Sequence, residues 1–190
     1  MRATFFTSCA AAVAATLVSL PPVQAQSKVN EEYSAIYTNI SNVGAVGAVP
    51  ITIRISRWTT DQEHEQLMKV LADRGNEAFV RELQRADRTG SIGTPQELPY
   101  HLRYARQGAY EKTGRRIILM TDRPMSFAER TSGGRTRDYS VTWIDLRLDA
   151  EGKGEGTISL ATRLKLAGDI LGVEDLGNIP AKLTNIKKVR

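Results

Sequence analysis

The chain has one cysteine, Cys9, two histidines, and aromatic side chains at only 6% of its positions. A lone thiol excludes an internal disulfide framework and a cysteine zinc knuckle. With His64 and His101 as the whole imidazole supply, a multi-histidine metal centre is excluded too. Nucleophile elbow, phosphate loop and HExxH helix are all missing, so catalysis lacks its usual handles. Beyond Leu20 no apolar run reaches the roughly 18–20 residues that a spanning helix needs. Charge is close to balance, 26 Lys+Arg against 21 Asp+Glu for a net +5, and the two signs are interspersed. That pattern describes solvated faces, and no nucleic-acid partner is expected from it.

What is present is most telling at the start. Met1-Arg2 is followed by an Ala-rich apolar run to Leu20, a Pro21-Pro22 break and the small-x-small ending Val23-Gln24-Ala25. This pattern predicts a signal peptide over residues 1–25, cleaved after Ala25, with export to the periplasm or the medium. Cleavage would also remove Cys9, and no transmembrane span would remain. Residues 26–47 are polar and Asn/Ser-rich and read as a flexible leader. Residues 48–190 then form a single globular domain.

Within that domain, Ile51, Ile53 and Ile55 alternate with Thr52, Arg54 and Ser56, a half-buried strand. Thr60-Asp61-Gln62-Glu63 fits a capping box that opens a helix running to Arg74. Gly75 stops it, and Asn76 caps a second helix carrying Phe79, Val80 and Leu83. Strand patterns follow around residues 100–105, 116–121, 139–148, 157–166 and 181–189. In the fourth of these Ile158, Leu160, Leu164 and Leu166 share one parity. In the third, the apolar register shifts from Val141/Trp143 to Ile144/Leu146/Leu148, which predicts a bulge near Trp143. The glycines of Gly152-Lys153-Gly154-Glu155-Gly156 read as a mobile hairpin tip. The fold class expected is α+β: a curved antiparallel β-sheet with a two-helix hairpin packed on its concave face, in β-α-α-β-β-β-β-β order.

Candidate binding residues are His101 and Tyr104 on one strand, Trp143 at the register shift, and Asp122, Arg123, Phe127 and Glu129. The last four belong to the stretch Thr121-Asp122-Arg123-Pro124-Met125-Ser126-Phe127-Ala128-Glu129, where Arg123 would hold an anionic group and Phe127 would line a cleft. Asp61, His64 and Glu65 share one helical turn, but acids there serve the helix dipole and His64 continues the stripe of Leu67 and Met68. No metal, cofactor or catalytic residue is assigned. Tyr104-Ala105, Gly114-Arg115-Arg116-Ile117, Thr121-Asp122-Arg123-Pro124, Phe127-Ala128-Glu129 and Asn178-Ile179-Pro180-Ala181-Lys182-Leu183 together resemble a group of exported bacterial proteins with no assigned activity. The resemblance implies a bacterial envelope location and no chemistry.

Three functions follow as expectations. The first is a non-catalytic extracytoplasmic domain that binds a small apolar, amphipathic or anionic molecule, or an envelope protein. Its mark would be a cavity lined by Trp143, Leu146, Ile158 and Leu160. The second is a structural envelope protein that pairs through exposed strand edges. The third is a metal-independent enzyme acting on an envelope molecule, with His101, Tyr104, Arg123 or Glu129 converging in one cleft.

Overall fold

A computed structural model describes residues 28–38, 47–122, 125, 141–161, 163–167, 170–173 and 180–190. The strands are β1 (Lys28–Thr38), β2 (Ala48–Arg57), β3 (Gly90–Gly93), β4 (Tyr100–Tyr110), β5 (Gly114–Thr121), β6 (Val141–Leu148), β7 (Lys153–Ala161), β8 (Leu164–Ala167), β9 (Ile170–Val173) and β10 (Ala181–Lys188). The described helix, α1, covers Asp61–Arg85 between β2 and β3. Eight strands close into an antiparallel barrel in the order β1-β2-β3-β4-β5-β6-β7-β10, with β10 returning to β1, while β8 and β9 form a separate two-stranded sheet.

This corrects the expected architecture. The sheet is a closed barrel, not an open curved sheet, and among the described residues it carries one kinked helix in place of a two-helix hairpin. Gly75 is the kink, at φ 75 and ψ −175, backbone that a side chain would disfavour. The bend is sharp: the Gln66 amide donates to Glu82 Oε1 at 2.5 Å, sixteen residues along the chain. Asn76 follows the kink directly. Its side chain accepts from the Leu164 amide at 2.6 Å and donates to the Leu164 carbonyl at 3.3 Å, clasping β8 to the kink.

Closure depends on β1, which lies inside the stretch expected to be a flexible leader. Tyr33, Ala35 and Tyr37 point inward, fully or almost fully buried, and pair across to Ile53, Ile51 and Val49 of β2. On its other side β1 pairs with β10 from Tyr33↔Lys188 to Thr38↔Lys182.

Inward side chains from all eight barrel strands form one apolar cluster that includes Tyr33, Ile53, Ile92, Leu102, Ile117, Ile144, Ile158 and Leu183. One layer runs from strand to strand as Ala105↔Leu119↔Ile144↔Ile158↔Ala181. Met125, from the segment after β5, is buried in the same cluster. Gly154 and Gly156 are ladder residues of β7, not part of a loose tip. A Cβ would meet the Arg147 carbonyl oxygen at 1.9 Å from Gly154 and that of Asp145 at 2.5 Å from Gly156, so only glycine lets β7 close on β6 here.

A second cluster lies on the outside of the barrel. Leu67, Leu71, Phe79 and Leu83 of α1 cover Tyr104, Met120, Val141 and Trp143, with Leu164 of β8 at the margin. The two apolar registers of β6 are thereby explained without a bulge. Its pairing with β5 and β7 is regular throughout, so Ile144, Leu146 and Leu148 face in while Val141 and Trp143 face out beneath the helix. The irregularities of register lie elsewhere, among them one between Leu102 and Tyr104 and one around Thr184-Asn185. Ile158 and Leu164, expected on one strand face, belong to opposite faces and different sheets.

Candidate binding surface

Of the seven candidate residues, Tyr104 and Trp143 come together under α1. The Tyr104 hydroxyl lies 3.0 Å from His64 Nδ1, joining β4 to the first turns of the helix. Burial pushes the Tyr104 phenol up to about 12, although the nearby Arg106 charge pulls it down. A phenol with that value stays protonated at neutral pH and serves as a structural hydrogen-bond partner. Next to it, Arg106 pairs with Asp61 at 2.9 Å, and Thr59 Oγ1 accepts the Ala105 amide at 2.9 Å.

Asp122 does not join that group. Its carboxylate takes the Arg103 Nε at 3.1 Å, and Arg103 Nη1 donates to the Ala86 carbonyl at 2.9 Å just past the helix end. His101 sits on β4 opposite Ser91, which is opposite Arg54, in an outward-facing row. Arg123, Phe127 and Glu129 lie outside the described residues. The cavity expected between Trp143, Leu146 and Ile158 cannot form as one space, because Trp143 belongs to the outer cluster and the other two to the inner. Leu160's side chain lies outside the described set. Among the described residues, no group of His, Cys, Asp and Glu is arranged to hold a metal ion.

Sequence reading missed a polar network across one mouth of the barrel. Arg115 of β5 and Glu31 of β1 stand four strands apart in either direction around the ring. Even so, the guanidinium bonds both carboxylate oxygens, at 2.9 and 3.2 Å. The Tyr33 hydroxyl donates to Glu31 Oε2 at 2.6 Å and accepts from Arg115, while Lys188 Nζ reaches Glu31 Oε1 at 3.2 Å. Burial opposes the charge on Glu31, but the bonds from Arg115, Tyr33 and Lys188 outweigh it and hold the carboxyl below its ordinary value. Burial, with the carboxylate beside it, raises the Tyr33 phenol. The usable sequence signal was parity: Arg115 shares its strand face with Ile117 and Leu119.

The outside of the barrel away from α1 is polar, with Arg54, Ser56, Lys182, Thr184, Asn185 and Lys187 exposed. An apolar inside and a polar outside is the reverse of a membrane-spanning barrel. No described helix is long and apolar enough to cross a membrane. Adjoining clefts open on this face, two of them along the β6–β7 hairpin. The larger, about 480 Å³, lies between the β4–β5 and β6–β7 turns and the irregular part of β10. The smaller, about 110 Å³, shares Arg147, Glu155 and Thr184 with it. Arg147 leans on Asp145 at 3.5 Å, and Arg116 holds that nearly buried carboxylate through two bonds of 2.8 and 2.9 Å.

Comparison with protein-family models, with curated proteins and with solved structures gives no match.

Proposed function

We propose that this chain is an exported, non-catalytic binding domain, periplasmic or secreted, that recognises its ligand or partner on the outside of its barrel. The observation that carries this reading is the filled interior. Eight-stranded barrels either hold a small ligand or fill themselves with side chains. Here inward residues such as Ile53, Leu102, Ile117 and Leu119 are fully or almost fully buried against one another. Glu31 and Arg115 bridge the mouth above them. The barrel is therefore a scaffold, and its polar outer face is the surface left for recognition. Export is supported by the apolar run, proline break and Val23-Gln24-Ala25 ending of the first twenty-five residues.

Native mass spectrometry of the protein purified gently from its envelope fraction tests both parts. The expected mass begins at Gln26 and carries no stoichiometric acyl lipid or other apolar molecule. A one-to-one lipid that survives transfer would overturn the scaffold reading, and an intact Met1 would overturn export by cleavage.

A further inference from the structure

We propose that the larger outer cleft binds an uncharged oligosaccharide, an inference that rests on the outer-face binding reading and names its ligand class. Three independent features of the cleft point there.

The first is backbone geometry. The non-glycine residues with positive φ among those described are Glu111 at 51° and Asn185 at 57°, and both line this cleft. Asn185 sits in an irregularity that interrupts both ladders of β10, between Leu183 and Ile186 on the β7 side and opposite Ser34/Ile36 on the β1 side. A bulge of this kind re-aims side chains, and here it leaves consecutive residues, Thr184 and Asn185, both exposed at the cleft. Left-handed backbone in a strand has a conformational cost, and such residues concentrate where a side chain must be presented.

The second is charge. Arg147 and Lys153 line the cleft together with Glu111, Asp149 and Glu155, and Arg147 is the cross-strand neighbour of Glu155, so neither sign dominates. A polyanion or a polycation would meet like charges here. A neutral ligand rich in hydroxyls meets what it needs, because each hydroxyl both donates and accepts. Asn185, Arg147 and Glu155 offer planar groups that can bond neighbouring hydroxyls in pairs.

The third is shape. About 480 Å³ lies within the range of small-molecule sites. Tyr110, half-buried, puts an aromatic ring in the lining, the side chain against which the C–H side of a sugar ring would pack. The smaller cleft continues past Thr184 toward Lys182, which gives a chain of sugar units room to extend.

The test is a printed array of neutral, carboxylated and sulfated glycans, probed with the full chain and followed by calorimetry on the best neutral hit. Asn185→Gly removes the amide but keeps a residue at ease with positive φ, and Tyr110→Leu removes the stacking face. Each is expected to weaken binding tenfold or more with the thermal midpoint unchanged. Binding only to sulfated or carboxylated glycans, no glycan binding at all, or neutral-glycan binding that both variants retain would each overturn the proposal. Failure of the scaffold reading is separately visible, because a stoichiometric apolar ligand would appear in the native mass spectrum whatever the array shows.

Discussion

The barrel interior and the seam beneath α1 are both apolar cores, yet they are held in different ways. The interior is built from short branched side chains, mostly Ile and Leu, delivered by all eight strands and locked by a closed ladder of backbone bonds. The seam includes larger side chains, Phe79, Tyr104, Met120 and Trp143, and among the described residues the helix and the β8–β9 sheet cover them. Its polar ties are individual side-chain contacts, among them the Asn76 clasp, the His64–Tyr104 contact, the Arg106–Asp61 pair, the Arg103 bond to the Ala86 carbonyl and the bonds of Arg57 at the two helix ends. A ring has no end from which to fray, whereas a helix laid on its outside can lift. The inner core should thus melt only with the whole domain, and the outer core should be able to open first.

The largest effects should come from one truncation in each core. Trp143→Ala removes an indole that is 5% exposed and should cost about 3–5 kcal/mol. Leu119→Ala empties part of the central inner layer and should cost about 2–5 kcal/mol. Their denaturation curves should differ in form. Leu119→Ala is expected to lower the urea midpoint at constant slope, while Trp143→Ala lets α1 detach early and splits far-ultraviolet from near-ultraviolet transitions. Coincident transitions for both variants would break the distinction between the two cores. In the parent chain carrying Trp58→Phe, the remaining Trp143 should resist iodide quenching.

The next prediction tests the mouth of the inner core. Glu31 has a folded pKa below its ordinary value of 4.5, so its network stabilises the fold above that value and loses the contribution as pH falls through the lowered one. Glu31 and Arg115 have side chains only 14% and 27% exposed, and a charge-assisted bond at such a site contributes about 1.5–3 kcal/mol. At pH 7 Glu31→Gln should therefore be less stable than the parent by roughly that amount. The gap should close as the pH is lowered below 4.5, because the parent carboxylate becomes neutral too. Glu63, also lowered by Arg57 and its cap bonds against the pull of burial, remains in both proteins and cancels from the difference. A gap that stays constant with pH would show that the network does not depend on the Glu31 charge.

How much of this was legible in the residues follows the same division. The alternation in β2 and β10, the capping box and the break at Gly75 are local signals, and each could be read directly. Closure was not legible, because it rests on β1 and β3. β1 hides Tyr33, Ala35 and Tyr37 among Glu, Ser and Thr, and β3 offers one large apolar residue, Ile92, between glycines. Without those two strands the remainder reads as an open sheet. Trp143 shows the other limit. Two apolar parities in one strand have two physical causes, a bulge or a sheet covered on both sides, and periodicity alone does not separate them. Parity places Arg115 on the inner face, but no local pattern names Glu31, 84 residues away in sequence, as its partner.

The smallest expected effect belongs to the anchoring of the outer layer. The Thr60 hydroxyl accepts the Glu63 amide at 3.2 Å, and Glu63 returns to accept the Thr60 amide at 2.8 Å and Arg57 Nη1 at 2.9 Å. Arg57 itself is almost buried and bonds the carbonyls of Trp58, Asp87 and Arg88, so both ends of α1 are fastened to the end of β2. Thr60→Ala removes the hydroxyl half of the cap and should cost about 1 kcal/mol, and Thr60→Ser should recover most of it. Because the lost bond belongs to the helix and not to the ladder, native-state hydrogen exchange should quicken at amides of α1 and leave those of Leu119, Ile144 and Ile158 unchanged. Equal acceleration in both sets would mean that helix and barrel open together, and that the two cores are energetically one.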